Sequence, residues 1–180
     1  MNDEDELLRL IPAPGDIAAD TDWAALEERL GVRLPSDYKW LVEQYGPGKF
    51  ADFLHVLQPV TQFAPIRLED SANRASEILE QLRESGETIP YLTEELIPVG
   101  TTDNGDTIYW VRRPEPDPDR WKITVNAARN TQWPEFNGGI VQFLVATLSG
   151  HHRCEVFPNS FPGKEPAFSK YAIRASRRVR

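Results

Sequence analysis

Cysteine is almost absent from this sequence, and its scarcity excludes one class of scaffold. The 180 residues include a single cysteine, Cys154. An intramolecular disulfide needs two cysteines, so the chain cannot be a small protein held together by a disulfide framework. A zinc site built on paired cysteines is excluded for the same reason.

Long apolar runs are also absent. The longest ones, such as IVQFLVATL, are about half as long as a helix that spans a bilayer. The first ten residues, MNDEDELLRL, are acidic and therefore lack the basic region that opens a secretory signal. We therefore expect a cytoplasmic protein that makes no contact with a membrane.

Positive charge is scarce over most of the chain. The formal net charge is −8, and residues 1–163 hold 14 basic and 27 acidic residues, a net charge of −13. Such a body repels nucleic acid and attracts a basic partner. The basic end, KYAIRASRRVR, is too short for a nucleic-acid-binding domain, and we interpret it as a frayed or packed terminus.

Few residues suggest a metal site or a nucleophile. His151 and His152 lie close to Cys154, but zinc needs about four ligands, and His55 is the only other histidine. Cys154 as a nucleophile would need a histidine base that a third group orients. We therefore predict a structural thiol, exposed histidines, no metal and no cofactor.

The acidic residues give no specific catalytic signal. In DNGD, Asp103 could begin a calcium loop, but the twelfth position is then Pro114 instead of the required glutamate. Asn-Gly favours a hairpin turn instead. With 28 acids, some pair of carboxylates will always lie close together, so a hydrolase that uses acids in a cleft stays an alternative. We assign no catalytic residue.

Two consecutive helices are predicted in the first half of the chain. In DTDWAALEERLG, apolar residues recur at helical spacing, an aspartate can cap the start, and Gly31 ends the helix. Ser36 is placed to cap the second helix, which ends at Gly46. The second helix has an apolar stripe made of Tyr38, Leu41, Val42 and Tyr45.

The rest of the chain changes from helical to strand periodicity. FADFLHVLQP predicts a strand. Residues 69–86 predict a third helix, whose inward-facing side chains should be Ala72, Ala75, Ile78, Leu79 and Leu82. Further strands are predicted for IPVG, TIYWVRR and RWKITVNAA. Residues 139–150 predict a last helix, and residues 154–168 predict an irregular segment. This order predicts a single α+β domain over residues 1–180, with a mainly antiparallel twisted sheet of five to six strands.

Tryptophan is the most suggestive residue type. Most of the five tryptophans should be buried. Trp40 falls off the apolar stripe of its helix, which makes it a candidate exposed anchor for a partner.

The run LEERLGVRLPSDYKWLVEQYGPGKF resembles the signature of the SUKH superfamily, which includes bacterial immunity proteins and the fungal Smi/Knr cell-wall regulators. IPVGTTDNGDTIYW, RWKITV and the segment up to Gly150 are similar to its second half. The resemblance covers residues 23–150 and leaves 1–18 and 164–180 as terminal extensions. The residues that match the motif, and that we expect to determine the fold, are Gly31, Leu34, Pro35, Asp37, Tyr38, Tyr45, Gly46, Gly48, Trp110, Trp121 and Trp133.

The resemblance implies a non-catalytic binding protein. Its bacterial members neutralise polymorphic toxins, often nucleases, by tight stoichiometric binding; a regulatory or scaffolding module is the alternative. We expect a basic toxin domain as partner and a monomer or weak dimer. Acids in hairpin loops should project outward, so the predicted partner-binding residues are Trp40, Asp103, Asp106, Glu115, Asp117 and Asp119. Residues 64–95 and the loop VRRPEPDP depart from the family pattern, and partner choice could depend on them.

Overall fold

The computed structural model describes residues 2–17 and 20–171. Its helices are α1 (Asp3–Leu10), α2 (Trp23–Leu30), α3 (Ser36–Tyr45), α4 (Leu68–Glu84) and α5 (Ile140–Leu148). Its strands are β1 (Gly48–Phe50), β2 (Leu54–Val56), β3 (Leu96–Thr102), β4 (Thr107–Val111), β5 (Lys122–Asn126), β6 (Glu135–Phe136) and β7 (Phe168–Lys170). The strands form one antiparallel sheet in the order β6–β5–β4–β3–β2–β1–β7. The predicted α+β fold is confirmed.

The sheet has seven strands in the described part of the chain, more than the five to six predicted. One difference lies in FADFLHVLQP, in which Phe50 ends β1, residues 51–53 form a turn and Leu54–Val56 form β2. Ala51 and Asp52 both have positive φ, 50° and 51°, and the Phe53 N–H donates to the Phe50 carbonyl. These backbone angles reverse the chain in a tight turn whose twist suits a hairpin.

The sheet separates two apolar cores. Alternate residues of β4 face opposite sides, so Ile108 and Trp110 enter the large core while Tyr109 and Val111 enter the small one. Residues of α1, α2, α3 and α5 also contribute to the large core, in which Trp121 is buried. The small core is formed under α4 by Ala75, Leu79, Tyr91, Leu96, Tyr109 and Val111, with Trp133 packed against it.

The N-terminal segment, expected to be an extension, contains helix α1. The Asn2 side chain caps this helix by accepting a hydrogen bond from the Asp5 N–H at 2.8 Å, and acids fill its first turn. Leu7 and Ile11 are buried in the large core. The Tyr45 hydroxyl donates to the Ile11 carbonyl at 2.6 Å, so α1 is bound directly to α3.

The segment expected to be irregular, residues 154–168, ends at the first residue of β7, a strand that the sequence did not predict. The ring of Phe168 packs on the rings of Phe50 and Tyr45, with centroid distances of 4.8 Å and 5.3 Å. Ser169 lies opposite Lys49 in the sheet. Most of the basic terminal segment, residues 172–180, lies outside the described residues.

A carboxylate braces the link between α2 and α3. Glu27 accepts a hydrogen bond from the Leu34 N–H at 2.8 Å and forms an ion pair with Lys39 at 2.6 Å. The Lys39 ammonium also lies over the Trp23 ring. Glu27 of α2 is therefore linked to Leu34 and Lys39, which lie before and after Pro35 in the sequence.

Two predictions about helix side chains were wrong. Ser36 does not cap α3 with its own hydroxyl, because Pro35 occupies the N-cap position and the hydroxyl donates to Asp119. Ile78 of α4 is 47% exposed, since the buried stripe runs through Ala75 and Leu79. No described helix combines the length and the apolar character needed to cross a membrane.

Candidate functional site

The five acids predicted to bind a partner lie at opposite ends of β4. Asp103 and Asp106 precede this strand, whereas Glu115, Asp117 and Asp119 follow it. A strand of five residues is roughly 17 Å long. The five acids therefore form two separate groups.

Asp106 is not available to a partner, which corrects the expectation that it projects outward. Its side chain accepts hydrogen bonds from the Thr102 hydroxyl at 2.7 Å and from the Ala128 N–H at 3.0 Å. The residue is only 4% exposed. Asp106 joins the β3–β4 turn to the segment after β5, which is a structural role.

Asp103 is exposed but belongs to a hydrogen-bonded cluster with His55, Lys49 and Tyr171. The His55 ring lies between Asp103, at 2.6 Å from its Nε2, and the Tyr171 hydroxyl. Burial opposes ionisation of Asp103, but the hydrogen bond and charge of His55 and the charge of Lys49 hold its pKa below the ordinary value.

The His55 cluster does not activate a nucleophile. Burial, and then the negative charge of Asp103, raises the pKa of Tyr171 to about 12. A tyrosine with a raised pKa keeps its proton at neutral pH and is a poor nucleophile. The cluster instead ties the segment after β7 to β2 and to the β3–β4 turn.

The loop between β4 and β5 is ordered by its own contacts. The Trp121 indole N–H donates to the Pro114 carbonyl at 2.8 Å. Arg112 forms an ion pair with Glu115, whose side chain is 71% exposed, and Asp117 is half-buried. The loop therefore presents Glu115 from a fixed backbone.

Asp119 ends this loop at the start of α3. One of its carboxylate oxygens, Oδ1, accepts hydrogen bonds from the Ser36 N–H at 2.6 Å and from the Ser36 hydroxyl at 2.8 Å. Beside this contact is a cleft of about 290 Å³, which we call the acidic cleft. It is lined by Asn2, Asp3, Glu4, Ser36, Asp37, Asp119, Gly139, Val141 and Gln142.

Asp37 lies at the inner wall of the acidic cleft. Its Oδ2 accepts a hydrogen bond from the Val141 N–H at 3.1 Å, at the start of α5. Burial, and to a smaller extent the charge of Asp119, raises the pKa of Asp37, while the backbone N–H groups of α3 and α5 oppose the rise.

Three helices begin at the acidic cleft, which explains part of its composition. Asp3 and Glu4 lie in the first turn of α1, Asp119 contacts the first residue of α3, and Asp37 contacts the first turn of α5. Helix N-termini carry partial positive charge and stabilise nearby carboxylates. Sequence reasoning missed Asp3 and Glu4, although their acidic run at a helix start was visible.

The acidic cleft has no basic side chain to pair with its carboxylates within the described residues. None of the described residues that line it is basic. Its four carboxylates take part in none of the ion pairs formed within the described residues. Such a cleft favours the ammonium or guanidinium group of a basic ligand.

Trp40 is less exposed than its position off the stripe suggested. It is half-buried and packs against the large core, with its ring centroid 6.4 Å from that of Tyr45. It follows Ser36 by four residues, about one helical turn, and therefore lies on the same side of α3.

The remaining histidines and the cysteine are placed at the end of α5. Burial raises the pKa of the Cys154 thiol to about 11, which keeps it protonated at neutral pH. His152 packs edge-on against Phe136, and His151 contacts the Ser149 hydroxyl. Within residues 2–17 and 20–171, no group of three or more potential ligands is placed to hold a metal ion.

Comparison with known proteins gives one match. A family model described as the SMI1 / KNR4 family (SUKH-1) matches residues 17–139, which is more than half of the chain. No curated protein and no solved structure matches the chain.

Proposed function

Because the chain belongs to the SMI1 / KNR4 family (SUKH-1), we propose that it is a non-catalytic immunity protein. In this role it binds a basic toxin domain tightly and in a fixed ratio, and so keeps the toxin from its substrate. Residues 1–163, with a net charge of −13, would attract such a domain and repel nucleic acid.

The observation that carries this proposal is the acidic cleft. Its four carboxylates form no ion pair within the described residues, so a lysine or arginine of the toxin can pair with them. A nuclease uses basic side chains to hold phosphate. A protein that occupies those side chains would block the enzyme without any chemistry of its own.

The partner surface continues from the acidic cleft onto the β4–β5 loop. Asp119 belongs to both, Glu115 is the most exposed acid of the loop, and Asp117 lies between them in sequence. Trp40 borders this surface on α3 as an apolar contact. A surface held in place before binding loses little conformational entropy when it binds. Asp103, at the other end of β4, would contact only a large partner.

The experiment that tests the proposal begins with affinity purification from the native cells at low and high salt. The expected result is one basic toxin-like chain that is released as salt rises, because salt screens interactions between exposed charges. That chain should kill cells when expressed alone and be harmless when expressed with this protein. An envelope or signalling protein as the captured partner would instead support the regulatory alternative.

The site is tested with two variants of equal charge change. Asp3→Asn combined with Glu4→Gln removes two charges from the acidic cleft. Glu77→Gln combined with Glu84→Gln removes two from the exposed side of α4. Stopped-flow kinetics at low salt should show association slowed by about threefold to tenfold for the cleft variant and by less for the α4 variant. Equal slowing would place the toxin elsewhere.

A further inference from the structure

Among the described strands, β7 is joined to the sheet through one neighbour. It lies beyond residue 139, where the family match ends, and it pairs with β1. The Ala51 N–H donates to the Ala167 carbonyl at 2.8 Å, and the Tyr171 N–H donates to the Pro47 carbonyl at 3.4 Å. Without β7, β1 and these groups at its two ends would form a free sheet edge that can pair with another strand.

The fit of β7 against β1 depends on Gly48. A Cβ atom at this position would lie 2.4 Å from Cζ of Phe168 and 2.5 Å from the Ser169 carbonyl oxygen. The missing side chain lets Phe168 reach Tyr45 and Phe50, so the edge of β1 is shaped for this particular strand.

The connection that precedes β7 is short and solvent-exposed. Phe161 is fixed on Phe53 and Phe157, with ring centroids 5.3 Å and 5.2 Å away. Residues 162–167, which join Phe161 to β7, are exposed or half-buried. The carbonyl of Ala167 is held by the Ala51 N–H, so residues 162–166 are free to extend. Five extended residues span roughly 17 Å, which is enough to reach a neighbouring molecule.

We propose that the edge of β1 is a docking site for β7 of a second copy of this chain, giving a strand-exchanged dimer. The incoming strand has the same residues as the resident one, so it makes the same hydrogen bonds and the same contact with Gly48. Residues 162–166 change conformation, whereas Ala167 keeps its hydrogen bond with the Ala51 N–H of the partner chain. The two exchanged strands are related by a two-fold axis. The dimer therefore forms as the protein concentration rises, and the monomer dominates at low concentration.

Two variants that each add one cysteine test this exchange. Lys49 and Ser169 lie directly opposite each other, at a spacing of about 5.5 Å between Cα atoms that a disulfide can bridge. Lys49→Cys and Ser169→Cys are placed on separate full-length chains, one of which carries a size tag. The two chains are refolded together from urea at increasing concentration and then oxidised. The native Cys154 is buried and stays in place.

The expected product is a disulfide between the two unlike chains, seen on a non-reducing gel. While the dimer is a minor species, a tenfold rise in protein concentration should raise the fraction of chains found in the mixed disulfide by about tenfold. Gly48→Ala in the Lys49→Cys chain should greatly reduce the product, and circular dichroism would show that this chain still folds. Absence of the mixed disulfide at every concentration, or a yield unaffected by Gly48→Ala, would overturn the proposal.

Discussion

Asp119 caps helix α3 from a position 83 residues away in the sequence. Its Oδ1 lies 2.6 Å from the Ser36 nitrogen and 2.8 Å from the Ser36 hydroxyl oxygen. The contact fixes the β4–β5 loop against the start of a helix and places one of the four carboxylates of the acidic cleft.

Removing this cap should destabilise the protein. Asp119→Ala leaves the Ser36 N–H without its acceptor, and we expect a loss of about 1 kcal/mol in the free energy of unfolding. Asp119→Asn keeps an acceptor oxygen and should lose less. Urea denaturation measures both values, and Asp117→Ala in the same loop serves as control. Equal losses for the alanine and asparagine variants would contradict the capping role.

Asp37 should make stability depend on pH in an unusual direction. Its pKa is raised in the folded protein, so the folded state binds the proton more tightly than the unfolded state. The stabilisation is complete below the ordinary aspartate pKa and is lost as pH rises through the raised value. Asp37→Asn keeps an acceptor for the Val141 N–H and removes the titration. Wild type should therefore gain stability relative to this variant as pH falls, in urea denaturation at a series of pH values.

Asp103 should show the opposite dependence. Its pKa is lowered in the folded protein, so its stabilisation is present above the ordinary aspartate pKa and lost as pH falls through the lowered value. Asp103→Asn should be less stable than wild type at neutral pH, and the difference should shrink in acid. The same denaturation series measures it. A difference that grows in acid would contradict the hydrogen-bond geometry of the His55 cluster.

Helix α1 should behave as part of the core. Leu7 is fully buried, so Leu7→Ala should lower the free energy of unfolding by about 2–5 kcal/mol. Leu8→Ala is the matched control, because Leu8 is only partly buried and its loss should be smaller. If thermal and urea unfolding of Leu7→Ala matched wild type, α1 would be an appendage instead.

Sequence reasoning predicted the elements whose pattern is local. The stripe from Tyr38 to Tyr45 predicted α3, and all four of its residues are buried. Strand β7 could not be found in this way, because three residues carry no alternation and its partner β1 is about 120 residues earlier. The β1–β2 hairpin was missed because its turn places Ala51 and Asp52 at positive φ, which no glycine signals.

The acidic cleft was only partly predictable for a similar reason. Asp119 was named as a partner residue and Asp37 as a fold determinant, but nothing local indicated that they line one cleft. Asp119 contacts Ser36, which is 83 residues away in sequence, and Asp37 contacts Val141, which is 104 residues away. Asp106 was misjudged because its hydrogen-bond partner Ala128 belongs to the segment after β5.

The sheet divides the interior into two cores, and this has a consequence for how the sequence can change over time. Ala75 and Leu79 of α4 pack in the small core, whereas Leu7 and Leu144 pack in the large one. Substitutions on opposite sides of the sheet share no contacts, so their effects on stability should add. The part of α4 from Ala75 onward can therefore diverge without disturbing the three helix N-termini at the acidic cleft. Leu68, at the start of α4, is buried in the large core and does not share this freedom.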